Sequence, residues 1–132
     1  MTKEEKQLLL KVLCEMLPYG VICKGIHHDL DVSKDEYVDF EVGGPLTNIG
    51  YNYATLGIMH KCELDTIKPY LRPMSSMTKE EKEQIRDLWI DADTDTHAIR
   101  LIDFYNKHHL DYRGLIPMGL ALEAPEGMYN VK

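Results

Sequence analysis

Ile67-Lys68-Pro69-Tyr70-Leu71-Arg72-Pro73-Met74-Ser75-Ser76-Met77-Thr78 divides the chain. Pro69 and Pro73 forbid a helix here and bias Lys68 and Arg72 toward extended backbone. Tyr70, Leu71 and Met74 give the stretch apolar groups to bury. The expectation is a pinned, extended crossing between two halves rather than a loose linker. Apart from the first sixteen or so residues, the chain before it reads as short strands and turns, and the chain after it reads as helices.

Working back from the crossing, Thr2 followed by Glu5 fits a capping box. Leu9, Val12, Leu13, Met16 and Leu17 recur at helical spacing until Pro18 ends the run. Val21, Ile22 and Cys23 lie in a short strand entered through Gly20. His27 to Glu36 is polar and turn-rich. Tyr37-Val38-Asp39-Phe40-Glu41-Val42 alternates apolar and acidic residues, as a half-buried strand does. Tyr37 and Phe40 have opposite parity, so the alternation does not choose the buried face. Gly43-Gly44-Pro45 reads as a turn. Leu46 to Met59 reads as two strands or one bent strand, and Ile67, Tyr70 and Leu71 as a last, edge-like strand, where proline is tolerated.

Working forward, Met77-Thr78-Lys79-Glu80-Glu81-Lys82 repeats Met1 to Lys6 letter for letter. The repeat is the same solution to starting a helix: Thr at the cap and Glu three residues later. Ile85, Leu88 and Trp89 are expected to face the core. Asp91 to Thr96 breaks this helix and caps a third, with Ala98, Ile99, Leu101, Ile102 and Tyr105 on it. Residues 113–122 read as a short final helical turn or two, and Met128 to Lys132 as a loosely held tail.

These elements make the fold class α+β in a single domain, 1–132. A helix over 1–18 and a helical half over 73–132 pack with a small bent antiparallel sheet, or SH3-like partial barrel, over about 19–72. The length suits one domain with a real core. No apolar run approaches the roughly 18–20 residues of a membrane span. The opening Met1-Thr2-Lys3-Glu4-Glu5-Lys6 is too acidic and polar for a secretory signal. Cys14, Cys23 and Cys62 leave one thiol over in any pairing, and no CxxC occurs; this favours reduced thiols in a cytoplasmic protein. The net charge is −7, from 15 basic and 22 acidic side chains. The deficit is spread over both halves, which disfavours direct nucleic-acid binding and suits a basic protein partner.

Several stretches could carry chemistry. Asp91-x-Asp93-x-Asp95 begins like a calcium loop, but Thr96 and Ile102 stand where Gly and a bidentate Glu are needed. Cys23, His27, His28, His60 and Cys62 are the nearest approach to a metal set, at spacings unlike any standard zinc module. His108 or His109 with Asp111 could form an acid–base pair, although histidine also suits a helix C-terminus. Ser75-Ser76 lacks a nucleophile elbow. Eight tyrosines against two phenylalanines are less ordinary. Tyr and Arg together suit recognition, so Tyr70, Arg72, Tyr112 and Arg113 are the candidate ligand-binding residues.

The stretch Ile67 to Thr78, with His108-His109-Leu110-Asp111-Tyr112-Arg113-Gly114-Leu115-Ile116 and Gly119-Leu120-Ala121-Leu122-Glu123-Ala124-Pro125-Glu126-Gly127-Met128-Tyr129, resembles a family of small proteins of gut bacteria and their phages and prophages. The likeness covers the C-terminal half and the first helix. Pro117-Met118 departs from the charged pair expected before Gly119. The resemblance implies context and no catalytic residues: an accessory factor of a phage or mobile element, binding a host protein or sequestering a signalling nucleotide. The expected function is therefore a non-enzymatic binding protein without cofactor, as monomer or homo-oligomer, that recognises a host protein or a small phosphorylated ligand. The alternative is a small hydrolase, either metal-dependent through Cys23, His27, His60 and Cys62 or dependent on a His/Asp pair.

Overall fold

The computed structural model describes residues 1–129. Helix α1 (Lys3–Met16) starts as expected: the Thr2 hydroxyl accepts the Glu5 N–H at 3.0 Å and the Glu5 carboxylate accepts the Thr2 N–H at 2.9 Å. Its buried residues are Leu9, Val12, Leu13 and Met16, one face of a helix. Pro18 sits in a 3-10 turn, Leu17–Tyr19, and Gly20 at φ 72° turns the chain into the sheet.

Strands β1 (Ile22–Asp31) and β2 (Glu36–Ile49) form a ten-rung antiparallel ladder from Ile22↔Pro45 to Asp31↔Glu36. Two expectations are corrected by this ladder. His27 to Asp31 is strand, with the turn confined to the residues between β1 and β2, and Gly43-Gly44-Pro45 is mid-strand. Pro45 is tolerated because it lies on the side of β2 away from β1, where its carbonyl accepts the Gly57 N–H at 2.8 Å.

The end of β2 pairs with β3 (Tyr53–Leu56), β3 with β4 (His60–Glu63), and β4 returns to β1 through the single register pair His27↔Cys62. β5 (Lys68–Leu71) joins the other part of β1 through Cys23↔Pro69 and Lys24↔Lys68, and β6 (Leu122–Glu123) runs parallel to β5. The class is α+β with a bent sheet, as expected. The sheet is mixed and partly ring-like rather than a barrel, and β5 is an interior strand rather than an edge.

The helical half differs more. α2 (Lys79–Asp87) and α3 (Thr94–Lys107) bury few apolar groups. Trp89 is half exposed and stacks on His97 at 3.4 Å, and Ile99 and Ile102 also face out. Residues 113–121 form turns, not the expected helix, and Leu122 opens β6. The Asp111 carboxylate accepts the N–H groups of Leu115 (2.7 Å) and Ile116 (2.9 Å), and Gly114 and Gly119 take positive φ. These turns seat Leu115, Leu120 and Ala121 in the core with Leu9, Leu13, Val21, Leu56, Ile67 and Leu71. Met128 and Tyr129, expected in a loose tail, are anchored: the Tyr129 hydroxyl accepts the Ile22 N–H at 2.8 Å and donates to the Tyr70 carbonyl at 2.7 Å. The rest of that stretch, 130–132, lies outside the described residues.

Gly25 lies where β1 passes close over Ile67 and Cys62. A Cβ there would sit 2.8 Å from Ile67 Cδ1 and 3.1 Å from Cys62 Sγ. Gly25→Val is expected to lower stability by about 1–3 kcal/mol through overpacking, read as a lower urea midpoint. An unchanged midpoint would mean that the ring is looser than described.

Candidate functional site

The crossing meets the C-terminal half along its backbone. Arg72 N–H donates to the His109 carbonyl and Asp111 N–H to the Arg72 carbonyl, both at 2.8 Å. Tyr70 and Arg72 thus lie one strand away from Tyr112 and Arg113, but the side chains go to different places.

Arg72 is buried. Its Nη1 donates to Glu81 Oε2 at 2.8 Å and to the His108 carbonyl at 3.3 Å. Its Nη2 donates to Glu81 Oε1 at 2.7 Å and to the Ser76 carbonyl at 3.0 Å. Glu81 also accepts the Thr78 N–H at 2.9 Å, completing the second capping box, and its Oε2 lies 3.1 Å from His108 Nδ1. The hydrogen bonds from Arg72, helped by the Thr78 N–H, hold the Glu81 carboxyl down to about 2 against the opposing effect of burial. Burial pushes His108 below its usual range, against the pull of Glu81.

Arg113 and Tyr112 turn instead to α1. Arg113 Nη2 donates to Glu15 Oε1 at 2.9 Å and the Tyr112 hydroxyl donates to Glu15 Oε2 at 2.6 Å. Burial alone would raise Glu15; the Tyr112 hydrogen bond and the Arg113 charge outweigh it and hold the carboxyl low. Both guanidinium groups expected to grip a ligand are therefore paired with internal carboxylates. Tyr70 gives its carbonyl to Tyr129.

A cleft of about 470 Å³ opens beside the first pair, lined among others by Tyr19, Gln84, Lys107, His108, His109 and Tyr129. His109 is not free to act as a base toward Asp111. Its Nε2 donates to the Tyr19 carbonyl at 2.7 Å, its ring stacks on Tyr129 at 3.8 Å, and the Asp111 carboxylate is occupied by two backbone amides. Cys23 and Cys62 are buried, and burial pushes the Cys23 thiol up to about 12, far from a thiolate. His27 donates from Nδ1 to the Lys61 carbonyl at 2.8 Å. Among the described residues, no group of three or more His, Cys, Asp or Glu side chains is arranged to hold a metal ion. Asp93 caps α3 through the Thr96 N–H.

The surface that sequence reasoning missed is the outer part of the β1–β2 ladder. Beyond His27 this two-stranded arm leaves the body. Leu30 (41% exposed), Val32 (86%), Tyr37 (67%) and Phe40 (43%) face water on it. Cross-strand pairs brace it: Lys24 Nζ lies 2.7 Å from Glu41, His28 Nδ1 lies 2.7 Å from Asp39, and the His28 ring stacks on Tyr37. Residues 28–41 hold six carboxylates and one lysine. The opposite parity of Tyr37 and Phe40 was the available signal. It did not choose a buried face because the arm buries neither.

Comparison with protein-family models, with curated proteins and with solved structures gave no match.

The buried pair and the Tyr129 anchor each have a measurable consequence. The folded value of Glu81 lies below its ordinary 4.5, so its contribution is fully present above that value and is lost as pH falls toward 2. Acid titration of stability should show this fall. Glu81→Gln should remove that part of it and cost about 3–5 kcal/mol at neutral pH, because Arg72 is left buried without its counter-charge. Tyr129→Phe strands the Ile22 N–H and is expected to cost about 1–3 kcal/mol by denaturant melt.

Proposed function

We propose that this chain is a non-enzymatic binding protein that recognises a partner protein through the β1–β2 arm. The observation that carries the reading is a braced two-stranded arm that holds Leu30, Val32, Tyr37 and Phe40 in water. Other apolar residues such as Ile58 and Ile99 are also exposed, but on the arm four of them are gathered on one braced element, the kind of grouping that suits an interaction surface. The acidic side chains of the arm favour a basic partner. The resemblance to small proteins of phages and gut bacteria supports a host protein in that role. Sequestering a nucleotide has less support, since Arg72 and Arg113 already neutralise Glu81 and Glu15. Hydrolysis has less still, since neither His108 nor His109 is aligned with Asp111. Among the described residues no helix is long and apolar enough to cross a membrane.

Placing a photoreactive residue at Tyr37 or Phe40, in cells that carry the gene, is expected to yield one discrete protein adduct. The same residue at Lys11, on the exposed side of α1, should yield none. Equal labelling from all three positions, or none from the arm, would refute the proposal.

A further inference from the structure

The unpaired margin of β2 specifies what kind of segment the arm would take. Leu46 donates its N–H to the Val21 carbonyl at 2.9 Å, which sets the phase of the ladder. Antiparallel pairing alternates, so the main chain of residues 38, 40, 42 and 44 is turned toward β1. The N–H and C=O groups of Tyr37, Asp39, Glu41 and Gly43 then point away from β1. Pro45 agrees, since its carbonyl faces outward to the Gly57 N–H. Past that contact, no strand among the described residues pairs with this margin of β2.

The two faces of β2 differ in chemistry along the same margin. Asp39 and Glu41 share one face with Tyr37, and Val38, Phe40 and Val42 share the other. A strand laid beside β2 must repeat that division. Its residues next to Asp39 and Glu41 are satisfied by Lys or Arg, and the alternate residues, next to Val38, Phe40 and Val42, by apolar side chains. His28 and Lys24 approach Asp39 and Glu41 from the β1 side, but these carboxylates stay 68% and 62% exposed, so a cation on an added strand can still reach them.

Exposed strand margins are commonly blunted by charged side chains, by proline or by a bulge. Residues 36–42 have neither proline nor a register shift in their ladder to β1, and their charges are all carboxylates, which bar an acidic or like strand and admit a cationic one. A second copy of this chain is a poor occupant, because it would bring the same carboxylates face to face. We infer that the outer margin of β2 over residues 36–44 takes up an extended segment of a partner protein, alternating cationic and apolar residues, as an added strand. The inference rests on the reading of the arm as the recognition element.

The test uses the full chain and three synthetic nine-residue peptides: alternating Lys and Val, alternating Glu and Val, and the Lys/Val composition with its lysines clustered at one end. The alternating Lys/Val peptide is expected to bind and the other two to bind at least about tenfold more weakly. Binding should slow amide exchange at Tyr37, Asp39, Glu41 and Gly43. N-methylation of alternate amides along one margin of the peptide should abolish it. Asp39→Pro removes an outward N–H without touching the bonds to β1, and should weaken binding about tenfold beyond Asp39→Ala, which lacks only the carboxylate.

Binding that ignores N-methylation and leaves those amides unprotected would overturn strand addition. Equal binding of the Glu/Val peptide, or no binding of the Lys/Val peptide, would overturn the cationic partner. If either happens while photo-adducts from Tyr37 and Phe40 persist, the arm still recognises its partner by another mode. If the adducts are also missing, the reading beneath the inference fails with it.

Discussion

One carboxylate, Glu81, ties together three parts of the molecule. It closes the cap of α2 through Thr78, pairs with Arg72 at the end of the crossing, and lies against His108 at the end of α3. Taking two charges out of water is costly, and such pairs contribute less net stability than their short distances suggest. What the pair does here is fix position. Arg72 can meet Glu81 only if the crossing is extended and α2 begins where it does. The backbone bonds of Arg72 to His109 and Asp111 then bring the end of α3 to the same place. The apolar core of α1, the sheet and residues 115–121 supplies the favourable energy, and the ion pair determines how the helical half is hung on it.

The hexapeptide that occurs twice shows how far the sequence could be read. Both copies start a helix with the same capping box, because a cap depends on residues three apart. Glu5 nevertheless stays near the surface while Glu81 is buried, and the difference lies in Arg72, which no local rule connects to it. Helix α1 was legible for the same reason: its apolar spacing answers to one core. Residues 113–122 misled because Leu115, Ile116, Leu120, Ala121 and Leu122 make the stretch apolar enough for a buried helical turn, while Gly114, Gly119 and the Asp111 carboxylate build turns that bury Leu115, Leu120 and Ala121 instead. The four candidate binding residues were chosen by type. Type did not show that Arg72 and Arg113 would find carboxylates of their own inside the fold.

The arm is hard to read in sequence and simple in physics. Alternation over Tyr37 to Val42 marks a strand, but with water on both faces of the arm it does not mark a buried side, and Tyr37 and Phe40 fall on opposite faces. Its order comes from cross-strand contacts instead. His28 with Asp39 and Tyr37, Lys24 with Glu41, and His27 on the Lys61 carbonyl hold the ladder at its root and along its outer face. A strand braced in this way has little conformational freedom left to lose.

Because the outer rungs of this ladder bury so little, the body of the protein is almost indifferent to what stands there. Substitutions at Leu30, Val32, Tyr37 or Phe40 leave the core and the Glu81 junction untouched. Foldability therefore constrains the arm weakly. The projecting loop and strands can vary while the rest of the scaffold is inherited intact.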